Sequence, residues 1–381
     1  MAELREKFTA AFRDVRTKRI QYYLDESSQV VPGKLTELEW KDYCPDVFRN
    51  IQEMNSVNHA DYMMLLCANN ILREVSLPGK AGRVFVLSTN DHIVIKTLKK
   101  SELKVILDAL PNYYFHMMKY PSSVILTLYG LHSVRQVGGL KVYFVVFANP
   151  IPLDMNIHDV YNLKGSSKGR TVQKQVIEEY TIHKDADFDY CFYIKPSIRE
   201  RFLAQIKSDC EFLEEEGIIE YSLLIGLSMQ TPFQGSLNGR SFHCVSTGCS
   251  SSTDTVDSRS SNSDTNSISS LLEFENTRLS SVICQVPDSG EFKFGSAMPA
   301  RAVRKRMPET ENAKEPESIK VVLYFAVVDI YQRYTMIKRF EHLYKSLHHD
   351  PKLISAVNCK DYSSRFQNYL EQIFLPENSD S

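Results

Sequence analysis

The chain has 381 residues, 43% of them hydrophobic and 24% charged, the profile of an ordinary globular protein. At about 150 residues per domain, it has room for two or three domains or one large one with insertions. Its 45 Lys and Arg against 47 Asp and Glu give a net charge of -2. A nucleic-acid binder carries a basic excess, so that class is excluded as a property of the whole chain, and any anionic partner must be met by a local patch.

Eight cysteines lie far apart with no C-x-x-C pair. They read as small core residues in a reducing compartment, not as a disulfide framework or zinc site. No stretch approaches the roughly 18 consecutive apolar residues of a membrane span, and residues 1–19 hold no apolar signal core. The expectation is a cytoplasmic protein whose membrane contact is peripheral.

In chain order, a Gly79-x-x-Gly82 loop leads into a β-hairpin, Val84–Ser88 and His92–Thr97, turned by Asn90 and Asp91. A helix begins near Ser101, with Leu103, Ile106, Leu107 and Leu110 on one face and Pro111 predicted to stop it. Strands follow near Val124–Tyr129 and Val142–Ala148, separated by Gly138 and Gly139. A donor-rich loop spans Tyr161–Arg170. The amphipathic helix Ser197–Glu216 carries Phe202, Ile206, Cys210 and Leu213 at helical spacing and ends at Gly217. Ile218–Gly226 is a buried strand or a sharp turn into one.

From Ser246 to Ser270, 15 of 25 residues are Ser or Thr. Such a stretch cannot bury enough surface to offset its ordering entropy and is predicted disordered, within a largely low-order insert over 230–317. Beyond it come an apolar strand, Ile319–Val328, ending at Asp329, and a helix, Tyr362–Phe374. The fold class is α+β.

Four constellations could carry chemistry. In the first, the glycine loop precedes a hairpin bearing Lys96 near its end. Glycines let backbone N–H groups approach phosphates, and a strand-borne ammonium can hold them; an ordinary turn with a surface lysine is the commoner outcome of that local pattern. The second is the pair of acids in apolar runs, Glu220 and Asp329. Either costs several kcal/mol to desolvate without a partner, and the partner is magnesium between carboxylates and phosphates or a buried salt bridge. The third is the loop with Lys164, Ser166, Ser167, Lys168 and Arg170, a phosphate site or a solvated turn. A basic cluster, Arg301, Arg304, Lys305 and Arg306 with Lys338, Arg339 and Lys345, suits an anionic lipid surface or is a solvated face. There is no P-loop motif and no H-R-D, D-F-G or A-P-E triplet. Residue chemistry thus reaches a nucleotide phosphoryl transferase of kinase-like layout.

The chain resembles the phosphatidylinositol phosphate kinase family, in particular its plant phosphatidylinositol-4-phosphate 5-kinases. The resemblance rests on Trp40-Lys-Asp-Tyr-Cys-Pro-Asp-Val-Phe-Arg49, Pro78-Gly-Lys-Ala-Gly82, Ile95-Lys-Thr97, Asn162-Leu-Lys-Gly-Ser-Ser167 with Gly169-Arg170, and Asp209-Cys-Glu-Phe-Leu-Glu214. It continues through Tyr221-Ser-Leu-Leu224, Met298-Pro-Ala-Arg301, Tyr324-Phe-Ala-Val-Val-Asp329, Lys338-Arg-Phe-Glu-His342 and Ile354-Ser-Ala-Val357.

The resemblance implies a two-lobed kinase-like catalytic domain with antiparallel sheets over 35–376, between an N-terminal extension (1–34) and a short tail (377–381). It implies an enzyme that uses ATP and Mg2+ to phosphorylate phosphatidylinositol 4-phosphate on its 5-hydroxyl, at the anionic inner face of the plasma membrane. Lys96 would hold the ATP phosphates, with Gly79, Lys80 and Gly82 covering them, and Phe147–Asn149 would form the adenine hinge. Asp329 and Glu220 would bind magnesium, and Lys164 would face nucleotide and substrate. Lys338 and Arg339 would open the segment that meets the lipid, and Glu341 matches the acidic position of the 4-phosphate 5-kinases.

Departures from the family pattern are Glu220 for aspartate, Asn162 for aspartate, Asp159 and Val160 for two basic residues, and Ala81 and Arg83 in the glycine loop. One extra methylene at Glu220 moves a carboxylate by more than an ångström, a misplacement that can cost about 100-fold in rate. The alternative function is therefore a catalytically weak or inactive pseudokinase acting as a phosphoinositide-binding scaffold.

Overall fold

Alternating burial along short apolar runs produces two seven-stranded sheets, joined through one continuous core. The structure, a computed structural model, describes residues 9–23, 35–67, 72–75, 84–88, 93–136, 138–151, 157–166, 182–229, 297–305, 318–334 and 358–377. Gly79, Lys80, Gly82, Lys338, Arg339 and Glu341 lie outside the described residues, as does the Ser-rich stretch 246–270.

The first half contains β1 (Val15–Tyr23), β2 (Leu35–Tyr43), α1 (Pro45–Met54), α2 (His59–Cys67), β3 (Leu72–Val75), β4 (Phe85–Ser88), β5 (Ile93–Leu98), α3 (Lys100–Lys119), β6 (Leu128–Gln136) and β7 (Lys141–Ala148). Its strands pair antiparallel in the order β1-β2-β6-β7-β5-β4-β3. β1 falls in the expected N-terminal extension, yet all nine of its residues pair with β2, so the sheet begins before residue 35. Its sequence is too polar to announce a strand; the pairing supplies what local propensity does not.

Pro111 does not stop α3, which runs through it to Lys119. A mid-helix proline costs about 3 kcal/mol. The turns beyond it bury Tyr113, Tyr114 and Phe115, and large side chains gain about 1.5–3 kcal/mol each on burial. Tyr113 Oη also donates to Leu126 O and accepts from Leu128 N, both at 2.9 Å, satisfying backbone groups of the segment that follows the helix. That segment is not the full strand expected over Val124–Tyr129. It makes a short parallel bridge, Ile125 to Val327, and regular pairing starts at Leu128.

The second half contains β8 (Ile157–Leu163), β9 (Ile182–Lys184), β10 (Tyr190–Ile194), α4 (Pro196–Glu215), β11 (Ile218–Ile219), β12 (Ser222–Met229), β13 (Met298–Arg304), β14 (Ser318–Val328), β15 (Gln332–Arg333), α5 (Cys359–Ile373) and β16 (Phe374–Pro376). The sheet order is β16-β10-β13-β14-β12-β8-β9. It is mixed, not antiparallel throughout: β10–β16 and β8–β9 run parallel at its two edges. β13 lies inside the stretch 230–317, where it pairs with both β10 and β14. Gly217 ends α4 with a φ of +66°, a conformation glycine adopts at little cost.

Buried Asp209 of α4 fastens the halves together. Its carboxylate accepts from Val124 N (2.8 Å), Ser123 Oγ (2.9 Å), Gln205 Nε2 (2.9 Å) and His116 Nε2 (2.7 Å). With Leu126 N donating to Val327 O at 3.0 Å and Val327 N to Val124 O at 2.7 Å, the bridge is fixed two residues before Asp329.

Candidate active site

Two strand pairs meet where the site forms. β12 and β14 pair at Ser222 and Val328, and β11 and β15 pair at Ile219 and Gln332. Between these ladders the backbone kinks on both sides, at Glu220 (φ 66°) and Asp329 (φ 62°). Left-handed backbone at a non-glycine residue costs on the order of 1–3 kcal/mol and persists where surrounding structure enforces it. Here the flanking ladders do so, and both strained residues are the acids that the sequence singles out.

Lys96 comes from the other sheet, in β5, where it pairs across to Phe85 and Val145. Its side chain is 1% exposed, and Nζ lies 2.7 Å from Asp329 Oδ1. The ammonium also sits 4.1 Å from the Tyr331 ring centroid and 5.7 Å from that of Phe85. Taking an ammonium out of water costs several kcal/mol; a carboxylate and two ring faces offset that here. Asp329 is 26% exposed, so the solvent-facing side of the pair is its carboxylate.

Lys164, directly after β8, makes the second pair: Nζ lies 2.7 Å from Glu220 Oε2. The neighbouring Asn162 donates from Nδ2 to Ser222 Oγ at 2.8 Å. Next to Glu220, Tyr221 is buried against Tyr362 and Phe366 of α5, its phenol pushed far up by burial, and Tyr362 Oη donates to the Tyr221 carbonyl.

Both acids thus face a lysine, each a different one. Glu220 contacts Lys164, and Asp329 contacts Lys96. Phe147 is buried in the core between Val94 and Leu128, and Asn149 Oδ1 accepts from Ile151 N at 3.2 Å just past the end of β7. Arg306, Lys338, Arg339 and Lys345 of the basic cluster lie outside the described residues, and its described arginines are partly neutralised. Arg301 faces Glu377 at 3.7 Å and Tyr193, while Arg304 faces Asp189 at 3.8 Å and bonds Tyr190 Oη. Sequence reasoning missed Tyr331, Phe85 and Ser222, which touch the lysine or its neighbours only across strands. It also missed Asp185, which accepts three N–H groups of the Lys164 loop.

Among the described residues no three His, Cys, Asp or Glu side chains cluster as a metal cage. Magnesium in a nucleotide site takes one or two carboxylates and completes its shell with phosphate oxygens and water. The part-exposed Asp329 carboxylate has the chemistry for this, beside a buried cation suited to phosphate.

The family model described as Phosphatidylinositol-4-phosphate 5-Kinase matches residues 66–373. Phosphatidylinositol 4-phosphate 5-kinase 10 of Arabidopsis thaliana is 38% identical over 413 residues, covering 95% of this chain and 96% of the relative. Phosphatidylinositol 4-phosphate 5-kinase 3 of the same plant is 37% identical over 379 residues, covering 96% of this chain and 49% of the relative. Phosphatidylinositol 4-phosphate 5-kinase 1 of Oryza sativa subsp. japonica is 37% identical over 395 residues, with 94% and 49% covered. The chain thus spans nearly all of the first relative and about half of the other two.

Proposed function

The chain belongs to the phosphatidylinositol-4-phosphate 5-kinase family, and on that premise we propose that it transfers the γ-phosphoryl group of ATP to the 5-hydroxyl of phosphatidylinositol 4-phosphate, giving phosphatidylinositol 4,5-bisphosphate. The observation that carries this reading is the Lys96–Asp329 contact, which joins the two sheets at one point with a buried cation and an accessible carboxylate.

In this reading Lys96 exchanges part of its contact with Asp329 for nucleotide phosphate oxygens, acting as a point charge fixed by its strand. Asp329 would hold Mg2+. When bound, the metal neutralises charge developing on the transferred group. Lys164, oriented by Glu220, offers a second fixed cation to that group, and fixed charges of this kind are often the largest catalytic contribution. Phe147–Asn149 meets the adenine, and residues 79–82 cover the phosphates. Lys338 and Arg339 meet the anionic inner face of the plasma membrane, and Glu341 favours the 4-phosphate isomer. Membrane contact is peripheral; among the described residues no helix is long and apolar enough to cross a membrane.

The test is a lipid-kinase assay of the purified chain with Mg-ATP on vesicles carrying phosphatidylinositol 3-, 4- or 5-phosphate, with product isomers resolved. The expected product is the 4,5-bisphosphate from the 4-phosphate. No product, with nucleotide and lipid binding intact, would replace the enzyme by a phosphoinositide-binding scaffold.

A further inference from the structure

Three consecutive backbone N–H groups, of Lys164, Gly165 and Ser166, converge on a single oxygen, Asp185 Oδ1, at 2.9, 2.7 and 3.2 Å. Successive N–H groups around one acceptor form a concave anion nest. Its shape requires a left-handed residue in the middle, and Gly165 supplies it with a φ of +69°. The opposite side of the turn is closed by α5: a Cβ at Gly165 would lie 2.8 Å from Tyr369 Cβ and 3.4 Å from Arg365 O. The Ser166 hydroxyl is buried and has no partner among the described residues, so the Ser166 side chain is not what holds the turn.

Asp185 is itself firmly placed. It opens a short 3-10 turn, Asp185–Asp187, directly after β9. Lys184 N donates to Asp187 Oδ2 at 3.1 Å across that turn, and Lys184 pairs with Asn162 in the parallel β8–β9 ladder. A carboxylate anchored on one strand thus grips the loop leaving its neighbour, and from that loop the Lys164 side chain reaches Glu220.

We propose that Asp185 is a positioning residue for Lys164: its carboxylate holds the nest closed, and the closed nest delivers the Lys164 ammonium to Glu220. Its catalytic consequence rests on Lys164 standing at the reacting centre as proposed above; its structural content does not.

The test uses the full chain and its D185A, D185E and D185N variants. Competitive acetylation with acetic anhydride, read by peptide mass spectrometry, reports Lys164 protection relative to exposed lysines of the same chain. Steady-state lipid-kinase assays with Mg-ATP report kcat and KM for ATP. D185A removes the acceptor, and D185E keeps the charge but moves the acceptor by one methylene. Both are expected to raise Lys164 acetylation about tenfold and to lower kcat by about 100-fold, the scale of an ångström's misplacement, with KM for ATP unchanged. D185N keeps an oxygen in place, so it should retain protection and most of the rate. Unchanged Lys164 protection in D185E overturns the proposal even if D185A does not fold, as does D185N behaving like D185E. A merely structural role would move KM and melting temperature together and show no rescue by asparagine. Altered protection in D185E, in a chain whose parent shows no lipid phosphorylation, keeps the positioning role and sinks the enzymatic reading alone.

Discussion

Removing the Lys96–Asp329 pair from its two ends has unequal consequences. In Asp329→Asn, the Lys96 side chain, only 1% exposed, keeps its charge and loses the Asp329 carboxylate. Breaking a buried pair in this way costs about 3–5 kcal/mol. The Tyr331 and Phe85 rings, 4.1 and 5.7 Å away, face the ammonium in parent and variant alike and leave the difference unchanged, whereas the exposed side of the pair, at Asp329, lets water in and lowers the cost. Asparagine also tolerates the left-handed backbone at this position, so no strain is added. The net expectation is a loss of about 2 kcal/mol. In Lys96→Met the volume is nearly kept, the buried charge disappears, and Asp329, at 26% exposure, rehydrates through its open flank. Stability should change by less than about 1 kcal/mol. At about 2–4 °C per kcal/mol for a large domain, thermal melts should place Asp329→Asn about 4–8 °C below the parent and Lys96→Met within a few degrees of it. The double variant should regain most of the loss, because no buried ammonium remains. Both single variants should lose lipid phosphorylation. Equal destabilisation by the two, or a double variant less stable than Asp329→Asn, would refute the reasoning.

Glu220→Gln removes the carboxylate 2.7 Å from the Lys164 ammonium; turnover should fall by about 100-fold while ATP affinity stays within threefold, a split that steady-state kinetics with separate nucleotide titration would show. Pro111→Ala restores the helical N–H missing in mid-α3 and should raise the urea midpoint by the equivalent of about 1–3 kcal/mol, with no change meaning the helix has relaxed around the proline. Burial alone would raise the Asp42 carboxyl, but hydrogen bonds from His132 and Trp40 outweigh it and hold it below the usual carboxylate range. Stability from this group is therefore full above the unfolded value near pH 4 and lost as pH falls through the lower folded value. Asp42→Asn should make acid denaturation below about pH 5 less steep, and an unaltered slope in a pH series of urea melts would count against that assignment.

Elements whose burial repeats at short range were legible before any tertiary information. The helix read as Ser197–Glu216 is Pro196–Glu215, the one read as Tyr362–Phe374 is Cys359–Ile373, and the strand read as Ile319–Val328 starts one residue earlier. In each, the apolar spacing lies within the element itself, and Gly217 and Asp329 stand just past the ends of two of them. Lys96 and Asp329 were also named from the sequence, because a charge at the end of an apolar strand is conspicuous wherever the strand goes. What pairs with what was not legible. Lys96 and Asp329 are 233 positions apart and Lys164 and Glu220 are 56 apart, so their contacts depend on how the sheets pack and on where two ladders break. The same holds for Asp185, whose local sequence reads as an ordinary polar turn until the parallel β8–β9 register sets it against the Lys164 loop. Pro111 and β1 show the converse: local preference opposed a helix in one case and announced no strand in the other. Buried aromatic side chains beyond Pro111, and nine residues of pairing along β1, outweighed what each segment prefers in isolation, and those gains exist only in the folded chain.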